Sequence, residues 1–562
     1  MDSRQRVRLV IGIAVLLVLC LGWGVWHMGM RFGEFMQQSQ MKTAAAIKAA
    51  NNAPVKNGRT FSHDEIHTFL VAARKAEAIQ DSLQRCLAYP DPPDSHWSPA
   101  AVKAYCQYHA QPIISFAEAQ SLIQNGQASE LDHRLEEALQ AEQTKPESHG
   151  LLDYIYFVDF DDGSFDIRPT LDAWKRASPS SAFAYAASGM AYVDMAAKAR
   201  GTEYIRDTPQ SNIDAMDRLL SEADTDLQRA VALNPKVTPA YVAMIDAGKM
   251  SLGDAYISNA GRRGLAAAPD NYAIYGLLSE AAQPKWGGSL VAMKHVADMA
   301  QAHVKENPLL TILLSAEPAY EYDICNCESS ANWSAFPAVF DNVASTTLLM
   351  NAGFAAGRNG HPDLTAIYLS EALRFNPGKS TARMRRGYAL TKLGESAWAL
   401  DEANQWIKNF PESPWGYSMR GYAYKSVDDY AHAAPDLEKA AALDPGNTWP
   451  LIELGNMYVG EAATPGAWDK AWDVANRLIQ AHPGDVDGWM LRARIQTYQP
   501  RAGLEDTARY FFTHFGSDPD HRGATAQMRM MLEQSHLSKA APASFNHPSA
   551  AVAPDHRLPI SG

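Results

Sequence analysis

Pro377, Pro411 and Pro445 divide the C-terminal third of this chain at equal intervals, and Pro483 follows after a slightly longer one. Gly353, Gly387, Gly421 and Gly455 keep the same even beat alongside them. A fixed period of about 34 residues marks stacked supersecondary units, because one such unit cannot bury its apolar face alone. The ladder therefore predicts a helical scaffold that binds something, and it specifies the fold more clearly than the partner.

The residues between the rungs describe the unit. In 414–447, Gly421 is followed by Tyr424, Ala433, Leu437, Ala440 and Pro445. Small residues at Gly421 and Ala433 let two helices approach closely, Tyr424, Leu437 and Ala440 fall on the meeting faces, and Pro445 ends the second helix. This pattern resembles the tetratricopeptide repeat. The stretch 380–413 keeps Gly387, Ala399 and Pro411 but carries Leu390 and Trp406 at two repeat positions. The stretch 448–485 keeps Gly455 and Tyr458 and has a short insertion near 464–466, and 346–379 keeps Gly353, Ala372 and Pro377. Further upstream the beat loosens: Gly189 and Tyr192, then Ala223, Leu227, Ala230 and Pro235, with Pro269 one further period on. No segment sustains a period-2 pattern, and 154–160 alone reads as either a short strand or a helix-connecting turn. The fold class expected is all-α, a tetratricopeptide-like solenoid of stacked helical hairpins.

Among the 562 residues the formal net charge is −13, and basic residues nowhere form a run, which excludes a nucleic-acid footprint. From Leu9 to Met30 there is no charged side chain, long enough for a helix to cross a ~30 Å hydrocarbon layer. Arg4, Arg6 and Arg8 precede this run and only Arg31 closely follows. The asymmetry predicts a signal anchor with a cytoplasmic N-terminus and the body outside, on the periplasmic side of a bacterial inner membrane. The boundaries expected are a cytoplasmic 1–8, an anchor at 9–30, a stalk at 31–58 and an N-terminal helical region at 59–163. Divergent helical repeats follow at 164–345, tetratricopeptide repeats at 346–500, capping helices at 501–538 and a disordered tail at 539–562.

Of the five cysteines Cys20 lies in the anchor, and the other four allow three pairings. Cys86 and Cys106 flank a proline-rich turn between helical stretches, where a bridge would staple a hairpin in an oxidising compartment. Cys325 and Cys327 are separated by a single residue, and a disulfide there would be strained and easily reduced. A redox or metal site and a stiffened loop both fit that pair, and its pairing stays open.

Other motifs yield to plainer accounts. His63 and His67 share a helix face as zinc ligands do, but Asp64 stands where a zinc protease needs Glu. Ser62 and Glu65 instead form a capping box, with Phe61 and Ile66 as its staple. Asp159, Asp161 and Asp162 before Gly163 resemble a calcium loop whose glycine comes one position early and whose last ligand position holds Thr170. Gly378, Lys379 and Ser380 lack the first glycine of a phosphate loop. Gly416–Arg420 fails the nucleophile-elbow pattern at its last position. No catalytic residue, metal ligand or cofactor is assigned.

The stretch 151–201, with its Asp-Gly turn, Trp174, Pro179 and closing Ala199, Arg200 and Gly201, resembles an uncharacterised bacterial helical domain family. Pro284–Ser289 fits the same family, so the resemblance spans about 120–310; it implies a helical, repeat-like fold and no activity. Trp286, between a lysine and two glycines, either plugs a gap between hairpins or stands exposed as a contact.

In tetratricopeptide arrays the first helix of each hairpin lines the concave groove. That geometry places Tyr388, Lys392, Trp415, Tyr422, Lys425, Trp449 and Asn456 on the inner face, with Arg358 and Arg494 at its ends. Interleaved aromatic, basic and amide groups suit an extended peptide. Chaperone-binding relatives use a clamp of lysines, asparagines and arginine for a C-terminal carboxylate, and only Asn456 matches it. The function expected is a non-enzymatic, membrane-anchored scaffold for a protein or peptide of unknown identity and oligomeric state. An immunity or inhibitor protein against an envelope-acting toxin, and a metal or redox protein built on Cys325/Cys327 or His63/His67, are the alternatives.

Overall fold

The structure is a computed structural model that describes residues 61–203, 206–322, 324, 333–460, 464–499 and 501–540. The expected anchor at 9–30 and stalk at 31–58, Cys325, Cys327 and residues 541–562 of the expected tail lie outside the described residues. Among the described residues every regular element is helical, and none is long and apolar enough to cross a membrane. The described residues form two compact units, one of residues 61–65 and 76–355 and one of residues 66–75 and 356–540.

Unit 1 begins in α1 (His63–Glu77), whose first turn is closed as its sequence requires. Ser62 N–H donates to Glu65 Oε2 at 2.8 Å, and Glu65 N–H donates back to Ser62 Oγ at 3.3 Å. Residues 66–75 of the same helix belong to unit 2, where Arg74 pairs with Asp401 at 2.7 Å. α2 (Ser82–Ala88) and α3 (Pro99–His109) follow, joined by a Cys86–Cys106 disulfide. Trp97 Nε1 donates to the Phe340 carbonyl at 2.8 Å, and the Tyr105 hydroxyl meets Thr346 Oγ1 at 3.1 Å. The stapled hairpin is thus tied to a distant stretch of sequence within the same unit.

The body of unit 1 runs through α4 (Phe116–Gln124), α5 (Ala128–Thr144), α6 (Leu151–Asp159) and α7 (Arg168–Ala177). Three hairpins come next: α8 (Ala182–Arg200) with α9 (Gln210–Leu233), α10 (Thr238–Ala247) with α11 (Asp254–Ala267), and α12 (Tyr272–Ala281) with α13 (Leu290–Gln301). The short α14 (Ala316–Glu321) and α15 (Phe336–Val339) complete it. One apolar core extends from Ala119 to Ile274. It crosses position 163, so the helices on either side of that expected boundary share a core. The segment 154–160, legible as a strand, lies in the helix α6 and its C-terminal cap: Leu152, Ile155 and Tyr156 are buried at helical spacing. Gly189 in α8 lies so close to Leu227 of α9 that a Cβ would sit 2.6 Å from the leucine.

Unit 2 takes most of its length from α16 (Thr346–Arg358), which spans the unit boundary, and α17 (Pro362–Phe375) onward. The hairpins are α18 (Ser380–Lys392) with α19 (Ser396–Asn409), α20 (Pro414–Ser426) with α21 (Tyr430–Leu443), and α22 (Trp449–Gly460) with α23 (Ala467–Ala481). α24 (Val486–Tyr498), α25 (Leu504–His514) and α26 (Arg522–Ala540) end it. First helices of successive hairpins, α18, α20, α22 and α24, pack on one another, whereas successive second helices barely meet. That asymmetry makes the first-helix layer the inner, more tightly packed side of the unit.

The disulfide offers a direct check. Replacing both Cys86 and Cys106 by Ser is expected to cost about 2–4 kcal/mol of stability in chemical denaturation. Non-reducing peptide mapping of the native protein is expected to return the two cysteines in one linked fragment, and two free thiols would contradict the pairing.

Candidate functional site

The inner side of unit 2 brings together residues that lie far apart in sequence. Tyr388 of α18, Tyr422 of α20 and Trp449 of α22 come from three successive hairpins, yet their rings touch. The centroid separations are 5.2 Å for the two tyrosines, 4.8 Å from Tyr388 to Trp449 and 5.6 Å from Tyr422 to Trp449. All three side chains are half-buried. Tilted and edge-on contacts of this kind are favourable for aromatic quadrupoles. Burial raises the Tyr388 phenol well above the ordinary tyrosine range, and the nearby Glu453 carboxylate pushes in the same direction.

Charged groups border this cluster. Lys425 Nζ donates to Glu453 Oε2 at 2.5 Å and lies 5.8 Å from the Tyr422 ring centre. Asn456 Oδ1 accepts a hydrogen bond from Arg494, whose Nε is buried with no hydrogen-bond partner. Among the described residues no carboxylate pairs with this half-buried guanidinium: burial lowers its pKa, and Tyr498 acts in the opposite direction. Lys392 is exposed at the end of α18, while Trp415 and Arg358 are half-buried. Six of the nine expected inner-face residues therefore gather into an aromatic trio, a paired Lys425 and an Asn456–Arg494 couple. They do not form a row of equivalent rungs.

Trp286 sits in unit 1, in a one-turn helix at Pro284–Trp286. Its ring is half-buried, with the Lys249 and Lys285 ammonium groups 5.1 and 5.7 Å from its centre. A Cβ at Gly288 would collide with the Ala282 carbonyl, so the second glycine of the run is needed for close passage of the chain. Lys249 bridges Asp246 at 2.6 Å and Glu280 at 2.8 Å. Near it, Asp194 is pushed up to about 9 by burial and by its hydrogen bond with Asp161. Of these unit 1 carboxylates only Asp161, in the turn that resembles a calcium loop, stood out in the sequence; Asp194, Asp246 and Glu280 are ordinary helix residues there.

Among the described residues no group of three or more His, Cys, Asp or Glu side chains is arranged to hold a metal. The His63 side chain is solvated, and His67 lies 3.9 Å from Glu395.

Residues 115–255 match the family described as "Domain of unknown function (DUF4034)". The match runs from α4 to the start of α11, entirely within unit 1. No curated protein matches the chain. One solved structure that does match is described as "Structure of Naa15/Naa10 bound to HypK-THB". It shares 12% identity over 85% of this chain and 98% of the matched one, at a TM-score of 0.27. A likeness at that score says nothing about a shared partner or activity.

The aromatic cluster makes a quantitative expectation possible. Trp449→Ala removes one ring from two pairs and is expected to cost about 1–3 kcal/mol beyond the lost apolar burial. Amide exchange in α18 and α20 measures this locally. An unchanged exchange rate there would show that the rings stand free of one another.

Proposed function

We propose that this protein is a non-enzymatic interaction scaffold whose second unit, a tetratricopeptide-type solenoid, holds an extended segment of a protein partner along its first-helix layer. The observation that carries this reading is the convergence of Tyr388, Tyr422 and Trp449 beside the Asn456–Arg494 couple. Rigid aromatic rings provide contact area at low entropic cost. The Arg494 guanidinium is half-buried and has no carboxylate partner among the described residues, which is unfavourable in the free protein, and an acidic group of a partner would offset that cost.

The scaffold is further proposed to be held in the bacterial inner membrane by residues 9–30, with its bulk in the periplasm. The support is the uncharged run itself and the three arginines before it. A Cys86–Cys106 bridge suits the oxidising side of that membrane.

Arg494→Met separates binding from folding. Because the half-buried arginine has no carboxylate partner among the described residues, its removal is expected to leave the melting midpoint unchanged or slightly raised. Recovery of the partner from solubilised membranes, quantified by mass spectrometry, is expected to fall by about tenfold, the equivalent of about 1.4 kcal/mol. Undiminished recovery would place the binding surface elsewhere.

Topology is tested separately. A reporter active only in the periplasm, fused after residue 58, is expected to be active, and a cytoplasmic reporter at the same point silent. The opposite pattern would overturn the proposed location without touching the groove.

A further inference from the structure

Where α5, α6, α10 and α12 of unit 1 come together, the buried Asp153 carboxyl shares a site with the half-buried Glu142. Asp153, in the first turn of α6, is 1% exposed. Its Oδ2 accepts a hydrogen bond from Asn271 Nδ2 at 2.7 Å, while its Oδ1 is buried with no hydrogen bond of normal geometry. Asn271 caps α12, and its own oxygen accepts from the Ile274 N–H at 2.8 Å. The cap therefore fixes which way the amide points and leaves its NH₂ for Asp153. Thr238, the first residue of α10, is equally buried, and its hydroxyl faces Asp153 without closing a hydrogen bond of normal geometry. Glu142 of α5 accepts the Leu152 N–H at 2.9 Å, which places a second carboxyl close enough for the two charges to repel.

The surrounding groups do not neutralise this pair. Asp270 and Tyr272 face it from the start of α12, and Tyr108 from α3. Tyr154 and Tyr156 lie on α6 itself, and the His109 ring packs on Tyr108 and Tyr154 at 5.3 and 5.6 Å. His149 is 3.8 Å from Asp270, and burial lowers its pKa, which favours the neutral ring. None of these groups is a lysine or an arginine.

We propose that Glu142 and Asp153 form a proton-binding switch. The folded unit retains protons on this pair that the unfolded chain gives up, and losing them loosens the helix starts at Thr238 and Asn271. The physical cause is desolvation: a buried carboxylate without a cation is costly, and two in one site cost more. Burial raises Asp153 to about 6, and burial together with repulsion from Asp153 holds Glu142 well above its usual range. Unfolded carboxyls titrate near 4. From there to about 6 the folded chain holds a proton on Asp153 that the unfolded chain lacks, so stability falls as pH rises. The Glu142 contribution acts in the same direction. Above that window the ionised Asp153 is a liability to unit 1.

The test is amide exchange of the full-length protein from pH 4.5 to 8, corrected for intrinsic rates and read in the first turns of α10 and α12. Protection is expected to fall about tenfold per pH unit for each proton retained. Asp153→Asn keeps the Asn271 hydrogen bond; it is expected to flatten the fall below pH 6 and to slow exchange at pH 7 relative to the native chain. Glu142→Gln is expected to make the fall shallower, and it keeps the inference testable if Asp153→Asn does not fold. Identical pH dependence in the native chain and the variants, or faster exchange at pH 7 in both variants, would overturn the switch.

Discussion

The close approach of two helices at a small residue underlies the hairpins of both units. In α20, a Cβ at Gly421 would lie 2.9 Å from Leu437 Cγ and 3.2 Å from the Ala433 carbonyl. The second helix of the hairpin occupies the space that any larger residue would need. Gly189 and Leu227 repeat the arrangement in unit 1, and Gly387 makes the same room for Met419 of the next first helix. Because the backbones come this near, side chains on the remaining face of the first helices are brought within reach of their counterparts in the next hairpin. The inner aromatic cluster is a consequence of that spacing, since Tyr388 and Tyr422 each immediately follow such a glycine.

Buried polar links then fix the register of the hairpins. Arg386 meets Glu402, and Arg420 makes two bonds of 2.7 and 2.8 Å to Asp436. Each link joins a first helix to its own second helix at the same sequence offset. In unit 1, Asp132 accepts from Trp174 Nε1 at 3.0 Å and from Ser181 Oγ at 2.5 Å, tying α5 to α7 and the start of α8. Pairs of this sort add little net stability against an apolar replacement, but breaking one side leaves a charge stranded. They select one packing among several apolar alternatives.

The proline and glycine rhythm made the hairpins of unit 2 legible, because Pro ends a helix and Gly permits the contact wherever they occur. The capping box at Ser62 was equally readable, since its whole mechanism is local. The segment 154–160 was ambiguous because its apolar residues satisfy both spacings over so short a run; the burial of Leu152 and Ile155 decides for helix. The Arg386–Glu402 and Arg420–Asp436 links were not read from the sequence, although an arginine beside each glycine and an acid 16 residues on recur with the repeat. The meeting of Asp153 with Glu142, or of Arg494 with Asn456, left no such trace. These contacts join residues from different helices whose relative rotation is set by packing, and sequence spacing alone does not encode it.

The account depends most on the inner layer of unit 2 being where a partner lies. A photoreactive amino acid can be placed at Lys392, at the end of a first helix, and in a separate protein at Lys439, exposed on the second helix α21. Irradiation in intact cells is expected to yield a covalent adduct with one partner from position 392 and little or none from 439. Adducts from 439 alone, or equally from both, would contradict a groove-bound partner.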